Sequence, residues 1–316
     1  MAAFKVGSDL RLQVSKPEGI IEAKVMKLLQ PWTLSAVMAI RIISQPEGLQ
    51  IPSPVILKLY DRRFSTEARE EWKAAEWKPE TEKPLLELSR SGEARKLMDD
   101  LEDDPDLLYD KDPWAVAERE VAITTDMERF AKAEVETYEI FKEHQGSLIP
   151  QFYTAVTLST VVGEDLGLSP ELFDFSGILI EYIDGFCMTD LALHVPESQW
   201  PSMVDRAGEV VSTVINTGSV VNTDVRPENA LVCRDDKYDG GWRFVMIDFA
   251  MCKTREDETD DEWGSRKDRQ DEENALSAKM WIKLRYIGYD LEWKRRDTWG
   301  KYGTEVWLRS VGKWYS

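Results

Sequence analysis

The sequence has 316 residues, of which 42% are hydrophobic, 31% charged and 10% aromatic. This composition is typical of a globular protein and excludes wholesale disorder, collagen-like repeats and a small disulfide scaffold. The formal net charge is −19, from 40 Lys and Arg against 59 Asp and Glu. Because the average field of such a chain repels phosphate backbones and anionic lipid, we predict neither a nucleic-acid nor a membrane partner. Any anionic ligand requires a local site.

The spacing of the cysteines and the lengths of the apolar runs indicate the cellular compartment in which the protein is expected. Cys187, Cys233 and Cys252 are odd in number, widely separated and not in C-x-x-C spacing, which argues against a disulfide framework and against a zinc site. The first sixteen residues contain no apolar run of signal-peptide length, and no run of about 18 uncharged apolar residues occurs. These features predict a cytoplasmic or nuclear protein.

Apolar runs bounded by turn residues predict five strands, of which the first three form an antiparallel meander. The predicted strands cover residues 21–29, 34–43, 55–60, 149–159 and 177–183. Between the third and fourth strands, residues 64–128 are helical in composition and strongly acidic, with eight Asp or Glu among the fourteen residues 99–112. Such a block is more often a solvated face or a mobile insertion than a ligand site. Its Trp72, Trp77 and Trp114 indicate that parts of it dock on something.

Two helices and a hairpin are predicted around and beyond these strands. Helical spacing of apolar residues occurs over 127–144 and again over 203–217. Apolar runs at 230–233 and 242–247 flank the turn residues 239–241, which indicates a β-hairpin. The two histidines, at 144 and 194, are interpreted as capping or surface residues.

The sequence from Val221 to Val232 is the richest in possible chemistry. It places Asp224 and Asn229 five residues apart in a tight loop that contains Pro227, and the far end of the predicted hairpin carries Asp248. Mg²⁺ prefers hard oxygen ligands and lets phosphate oxygens complete its coordination shell. The predicted hairpin would return Asp248 to the loop that carries Asp224 and Asn229. Three oxygen-bearing side chains close together favour the interpretation as a site for a magnesium-bound nucleotide over the interpretation as ordinary turn residues.

This stretch resembles the catalytic loop of the protein kinase superfamily, D-x-[KR]-P-x-N, and the I-D-F-A segment at 247–250 is similar to its D-F-G segment. The V-I-L-K segment at 55–58 resembles the V-A-I-K strand of that family. Glu134 occupies the place of its lysine-pairing glutamate, and 178–184 resembles the hinge strand between the lobes. Over roughly residues 20–290, the sequence as a whole is similar to fungal protein-kinase-like proteins.

The resemblance implies an α+β, two-lobe protein-kinase-like fold. It implies an N-terminal extension (1–19), a five-stranded antiparallel N-lobe (20–182) with an acidic helical insertion (64–128), and a truncated, mainly helical C-lobe (183–316). Only 68 residues follow Asp248, fewer than the usual set of C-lobe helices needs.

In the N-lobe, the resemblance implies that Lys58 binds the α- and β-phosphates of ATP and that Glu134 holds Lys58. Glu136 and Glu139 lie on the same predicted helix, so a solvated position for Glu134 stays open. The glycine-rich loop of the family is absent from residues 30–35, where Ser35 is the expected cofactor-binding donor. Glu181 and Ile183, in the hinge strand, are also assigned to cofactor binding.

In the C-lobe, the resemblance implies that Asp224 orients and deprotonates the acceptor hydroxyl. Arg226 neutralises the transferring phosphoryl group, and Asn229 and Asp248 hold Mg²⁺. Asn222 and Thr223 replace the His-Arg pair before the catalytic aspartate, and no Ala-Pro-Glu segment follows. These departures predict an enzyme that is not regulated by activation-loop phosphorylation and that resembles small-molecule kinases in its acceptor site.

The resemblance predicts an ATP- and Mg²⁺-dependent phosphotransferase whose hydroxyl acceptor is a protein or a small molecule. The alternative is a pseudokinase, which serves as a nucleotide-binding or protein-interaction scaffold. Residues 281–316 carry a net charge of +4, against −23 for the remainder. This basic C-terminal tail is expected either to dock on the acidic 99–112 region or to bind a protein partner.

Overall fold

The computed structural model describes residues 4–104, 107, 114–159, 168, 170–215 and 219–297. The chain divides into two compact units. Unit 1 comprises Met1–Val135 and Phe152–Tyr182, and unit 2 comprises Glu136–Gln151 and Ile183–Ser316. The predicted boundary after residue 182 coincides with this division, whereas 136–151 belong to unit 2. Both units contain strands and helices, so the fold is α+β.

Unit 1 is built on a closed antiparallel barrel of six strands. The strands are β1 (Asp9–Ser15), β2 (Glu18–Leu28), β3 (Ala36–Ser44), β4 (Val55–Leu59), β5 (Phe152–Leu158) and β6 (Phe175–Glu181). Their order is β1-β2-β3-β4-β6-β5, and a pair between β1 and β5 closes the barrel. The barrel core is apolar, and β4 is buried along its whole length.

The prediction of five strands was wrong by one, because β1 lies within residues 1–19, which the sequence assigned to an N-terminal extension. Leu10, Leu12 and Val14 are buried and alternate with exposed polar residues. This period of two is the signal of a strand with one buried face. The five predicted strands are confirmed with bounds shifted by up to three residues, and the first three form the expected meander.

The acidic insertion is largely helical. Its helices are α1 (Thr66–Glu71), α2 (Glu82–Ser91), α3 (Glu93–Asp103) and α4 (Val116–Ile140). Helix α4 runs without a break through residue 128, where the insertion was expected to end, so the predicted boundary falls inside a helix.

Helices α2 and α3 pack on the rest of unit 1 through a small apolar core. Leu85 of α2 and Met98 of α3 are buried against Val121 of α4 and Phe173. The expectation that parts of the insertion dock is therefore confirmed, and the described acidic side chains of 99–104 are exposed, as on a solvated face. Of the acidic run 99–112, residues 105–106 and 108–112 lie outside the described residues.

Unit 2 combines two small sheets with helices. Its elements are β7 (Phe186–Cys187), α5 (Leu191–His194), α6 (Trp200–Ile215), β8 (Val220–Asn222), β9 (Ala230–Arg234), β10 (Trp242–Met246), β11 (Cys252–Thr254), α7 (Asp260–Gln270) and α8 (Glu272–Tyr286). The predicted hairpin is confirmed as β9 and β10, which pair antiparallel from Arg234↔Trp242 to Ala230↔Met246. Gly240 and Gly241, in its turn, have φ of 68° and 70°, a conformation that glycine adopts without steric cost.

The basic C-terminal tail is described as far as residue 297, and 298–316 lie outside the described residues. Within unit 2, Arg295 pairs with Asp271 at 2.6 Å and Arg296 pairs with Asp205 at 3.4 Å. In the described part of the chain, no helix is both long and apolar enough to cross a membrane.

Helix α7 begins with a reciprocal capping box, which gives a test of local stability. The Thr259 hydroxyl accepts a hydrogen bond from the Glu262 backbone N–H, and the Glu262 carboxylate accepts one from the Thr259 N–H. Thr259→Ala is expected to lower the free energy of unfolding by about 1 kcal/mol in urea denaturation, since it leaves helix donors unsatisfied. Thr213→Ala, inside α6, removes the same hydroxyl where alanine is the better helix former, and we expect no loss. Equal losses in the two variants would contradict the prediction.

Candidate active site

Lys58 and Glu134 form a buried ion pair in unit 1. Lys58 lies in β4 and Glu134 in α4, and their side chains are 6% and 0% exposed. The Nζ atom of Lys58 is 2.9 Å from Oε2 of Glu134. Burying a charge without a partner is very costly, so a lysine in a fully buried strand requires such a carboxylate. The solvated alternative for Glu134 is wrong, because that side chain is completely buried.

Ser35 lies in the turn between β2 and β3, directly before β3, and is buried. This turn contains no glycine and is held by other means. The Trp32 indole donates to the Val37 carbonyl at 3.0 Å, and the Thr33 carbonyl accepts from the Glu67 N–H at 3.0 Å. Helix α1 thus braces the turn, and the role of Ser35 as a phosphate donor stays a prediction.

Glu181 and Ile183 lie on either side of the division between the units. Glu181 ends β6, where it pairs in register with Val55 of β4. Burial, with a further contribution from the Glu181 carboxylate, raises the pKa of Tyr153. Ile183 lies outside any strand or helix. Their assignment to cofactor binding stays a prediction.

In unit 2, the loop between β8 and β9 is organised around Asp224. The Asn229 amide nitrogen donates to the Asp224 backbone carbonyl at 3.0 Å and to its Oδ2 at 2.8 Å. An Nη2 atom of Arg226 is 3.2 Å from the same carboxylate oxygen. The Asp224 N–H donates to Oδ1 of Asn222 at 2.8 Å, so the loop is closed on both sides of the aspartate.

Asp248 is brought to this loop by the hairpin. Directly before it, the Ile247 N–H donates to the Asn229 carbonyl at 2.9 Å, which extends the β9–β10 pairing by one residue. Asp248 has φ of 66°, in the left-handed region that non-glycine residues rarely adopt. Phe249 is fully buried, and its ring packs edge-on against Tyr138 and Phe141. This packing holds the strained residue in place, and such strain is concentrated at functional sites.

The electrostatics of the loop favour a proton acceptor at Asp224. Burial raises the pKa of the Asp224 carboxyl, and the nearby Asp248 carboxylate raises it further. Arg226, the Asn229 hydrogen bond and Lys279 oppose this change. A carboxylate whose proton affinity is increased in this way is suited to general-base chemistry.

The residues that support the loop from α7 and α8 were missed by sequence reasoning. The Glu272 carboxylate accepts from the Asn222 N–H at 2.6 Å, and its other oxygen pairs with Lys267 at 2.5 Å. Gln270 donates to the Thr223 carbonyl and Lys279 to the Val225 carbonyl. These residues lie 47 to 54 positions along the chain from their loop partners, so no local pattern reveals them.

The side-chain oxygen atoms of Asn229 and Asp248 in unit 2 are of the kind that a hard divalent cation prefers as ligands. The Asn229 amide nitrogen donates to Asp224, so its Oδ1 can act only as an acceptor. The bond from the Ile247 N–H to the Asn229 carbonyl brings the neighbouring Asp248 to the same loop. Oxygen donors of this kind suit Mg²⁺. Among the described residues, no group of three or more His, Cys, Asp or Glu side chains is arranged to hold a metal ion. A cation at this site therefore needs further ligands from a bound phosphate or from water.

The structure thus brings the predicted residues together in two groups. Lys58 and Glu134 are paired in unit 1. Asp224, Arg226, Asn229 and Asp248 are gathered in unit 2. That both groups serve one nucleotide pocket stays a prediction.

Comparison with known proteins gives matches at the level of structure only. No protein-family model matches the chain, and no curated protein matches its sequence. Crystal structures of mutant forms of the PknI kinase domain of Mycobacterium tuberculosis are similar to it. One double mutant aligns with 12% identity and a TM-score of 0.37, over 79% of this chain and 64% of that one. Another aligns with 11% identity and a TM-score of 0.42, over 89% and 79%.

The chain thus spans less than two thirds of the length of the first of these bacterial structures. The fungal affiliation predicted from the sequence is not supported by these matches.

Proposed function

We propose that this protein is an ATP- and Mg²⁺-dependent phosphotransferase that moves the γ-phosphoryl group to a hydroxyl acceptor. The observation that carries the proposal is the assembly of Asp224, Arg226, Asn229 and Asp248 around one loop and one hairpin of unit 2. The buried Lys58–Glu134 pair of unit 1 supports it, since a lysine held this way is expected where phosphates bind.

Each side chain has a role that follows from its chemistry. Asp224 orients the acceptor hydroxyl and takes its proton. Arg226 offers a planar cation to the transferring phosphoryl oxygens, and its contact with Asp224 keeps it beside the base. Lys58 binds phosphate oxygens as a point charge, and Glu134 keeps the ammonium group in position. Catalysis is then mainly positioning and neutralisation of charge.

Asn229 and Asp248 would hold the metal ion through Oδ1 and the carboxylate, respectively. When bound, Mg²⁺ neutralises the charge of the phosphates and orients them for in-line transfer. Ser35, Glu181 and Ile183 are proposed as further contacts to the nucleotide. The acceptor is proposed only as a hydroxyl compound, either a protein or a small molecule. A protein partner of the basic C-terminal tail also remains a proposal.

The alternative function is a pseudokinase that binds nucleotide without efficient turnover. The base and both metal-binding side chains are retained in one hydrogen-bonded loop system, which favours catalysis. The turn before β3 contains no glycine, which is the feature that a pseudokinase would explain. That turn is nevertheless held in place by a hydrogen bond from α1.

Thermal shift with ATP, in the presence and absence of Mg²⁺, tests the proposed site. We expect ATP to raise the Tm only when Mg²⁺ is present, because Asn229 and Asp248 would hold the ion and the ion would neutralise the phosphates. Asp248→Ala is expected to abolish this metal-dependent shift. Asp257→Ala removes an exposed carboxylate that is not part of the site and should retain the shift. If millimolar ATP with Mg²⁺ does not change the Tm of the parent protein, the proposed function is wrong.

A further inference from the structure

Tyr60 lies two residues after Lys58, directly beyond the end of β4. Side chains two apart in an extended chain point to the same face, and the ring of Tyr60 is 5.4 Å from the Lys58 Nζ atom. Tyr60 is 1% exposed, and its backbone N–H donates to the Ser176 carbonyl at 2.8 Å. The position of the tyrosine ring is therefore fixed by the barrel itself.

The hydroxyl of Tyr60 donates a hydrogen bond to Oε2 of Glu134. The same oxygen atom pairs with the Lys58 ammonium. Glu134 is on α4, whereas Lys58 is on β4 and Tyr60 directly follows it. Two donors from the same strand region therefore bind one carboxylate oxygen of the helix. A hydrogen bond to an ionised acceptor is stronger than one between neutral groups.

A phenylalanine ring would fill the same space as the tyrosine ring. The hydroxyl is therefore not needed for packing, and its hydrogen bond to Glu134 gives it a specific task. Glutamate has three rotatable side-chain bonds, and a second donor at Oε2 restricts the positions that its carboxylate adopts. The position of the Lys58 ammonium depends in turn on that carboxylate.

We propose that Tyr60 is a positioning residue that fixes the Glu134 carboxylate and, through it, the Lys58 ammonium for contact with nucleotide phosphates. This inference rests on the proposed function. It adds a third member to the Lys58–Glu134 pair, one that makes no contribution of its own to the charge of the site.

The first test measures binding of a non-hydrolysable ATP analogue with Mg²⁺ by calorimetry on the full chain. Tyr60→Phe is expected to raise the Kd by about threefold to tenfold, the range that loss of one hydrogen bond allows. In a Lys58→Met background the same substitution should have no further effect, because Tyr60 acts through the ion pair. Tyr289→Phe removes the hydroxyl of a tyrosine that packs on Trp200 and is the matched control.

The second test does not depend on nucleotide. An amine-reactive reagent must reach the lysine nitrogen, and the ion pair with Glu134 holds the Lys58 ammonium in a buried position. Tyr60→Phe should loosen that pairing and increase the acylation rate of Lys58 several-fold, as followed by mass spectrometry. Lys267, which is also buried and is paired with Glu272, provides the internal control, and its rate should not change.

The outcomes separate the two proposals. If the parent protein and Lys58→Met bind the nucleotide differently but Tyr60→Phe matches the parent protein in Kd and in acylation, the role of Tyr60 is refuted and the proposed function stands. If the parent protein binds no Mg²⁺-nucleotide, the proposed function is refuted together with the nucleotide role of Tyr60. An equal effect of Tyr60→Phe in the Lys58→Met background would also refute the inference, since a general loss of stability would explain it.

Discussion

Replacement of Asp224 by asparagine is expected to lower the rate of phosphoryl transfer by about 100-fold or more. Asparagine has nearly the same shape, and its carbonyl oxygen can still accept the hydrogen bond from Asn229. The loop should therefore keep its conformation, whereas the group that takes the proton from the acceptor hydroxyl is lost. Binding of Mg²⁺-nucleotide should change by no more than a few-fold, because Asn229 and Asp248 remain.

The measurement is single-turnover transfer or hydrolysis of ATP, together with nucleotide affinity for the same variant. Glu228→Gln is the matched control, since Glu228 lies in the same loop with a half-exposed carboxylate that pairs with Lys283. That variant should transfer phosphate at nearly the parent rate. An Asp224→Asn enzyme as fast as the parent would show that Asp224 is not the base.

Local patterns predicted the hairpin and the loop of unit 2. Asp239, Gly240 and Gly241 combine turn chemistry with flanking apolar runs, and the observed pairing of β9 and β10 follows from them. The proline and the short polar residues of 223–229 likewise favour a tight loop. Residues that are close in sequence and carry strong turn preferences are the ones whose arrangement the sequence reveals.

The first strand and the long helix were misjudged although signals were present. Leu10, Leu12 and Val14 alternate with polar residues over only seven positions, which is a short pattern near a terminus. Helix α4 contains no glycine or proline between Val116 and Ile140, so nothing in it marks the end of an insertion. The acidic composition before it obscured this continuity.

The support beneath the candidate site could not be predicted. The contact between Glu272 and the Asn222 N–H depends on how α8 packs in unit 2. The hydrogen bond from Tyr60 to Glu134 joins residues that are 74 positions apart in the sequence. Such contacts follow from the packing of whole elements, and neither a motif nor a period in the sequence encodes them.

A second buried charge network joins the segment after β4 and helices α1 and α2 to α4. Glu120 of α4 is 2% exposed and pairs with Arg69 at 2.6 Å and with Arg62 at 3.6 Å. Arg62 also pairs with Glu82 of α2 at 2.8 Å. The Trp72 indole donates to Asp126 of α4 at 2.6 Å. The segment after β4 is thus tied to the helix that carries Glu134.

Glu120→Gln is expected to lower the free energy of unfolding by about 3 to 5 kcal/mol, the usual cost of breaking a buried ion pair by removing one partner. Arg69 is then left buried without its carboxylate, while its hydrogen bonds to the Ala75 and Arg62 carbonyls remain. Chemical denaturation followed by tryptophan fluorescence measures the change, because Trp72 and Trp114 lie in the same unit.

Two further variants separate the ion pair from a general effect of charge. Asp99→Asn also removes one helical carboxylate of unit 1, but its pair with Arg95 is half-exposed, so we expect a change below about 0.5 kcal/mol. The double variant Arg69→Met/Glu120→Met should recover much of the stability that Glu120→Gln loses, because no unpaired charge then remains at Arg69. A double variant as unstable as Glu120→Gln would mean that the cost arises from packing, whereas equal losses in Glu120→Gln and Asp99→Asn would contradict the role of burial.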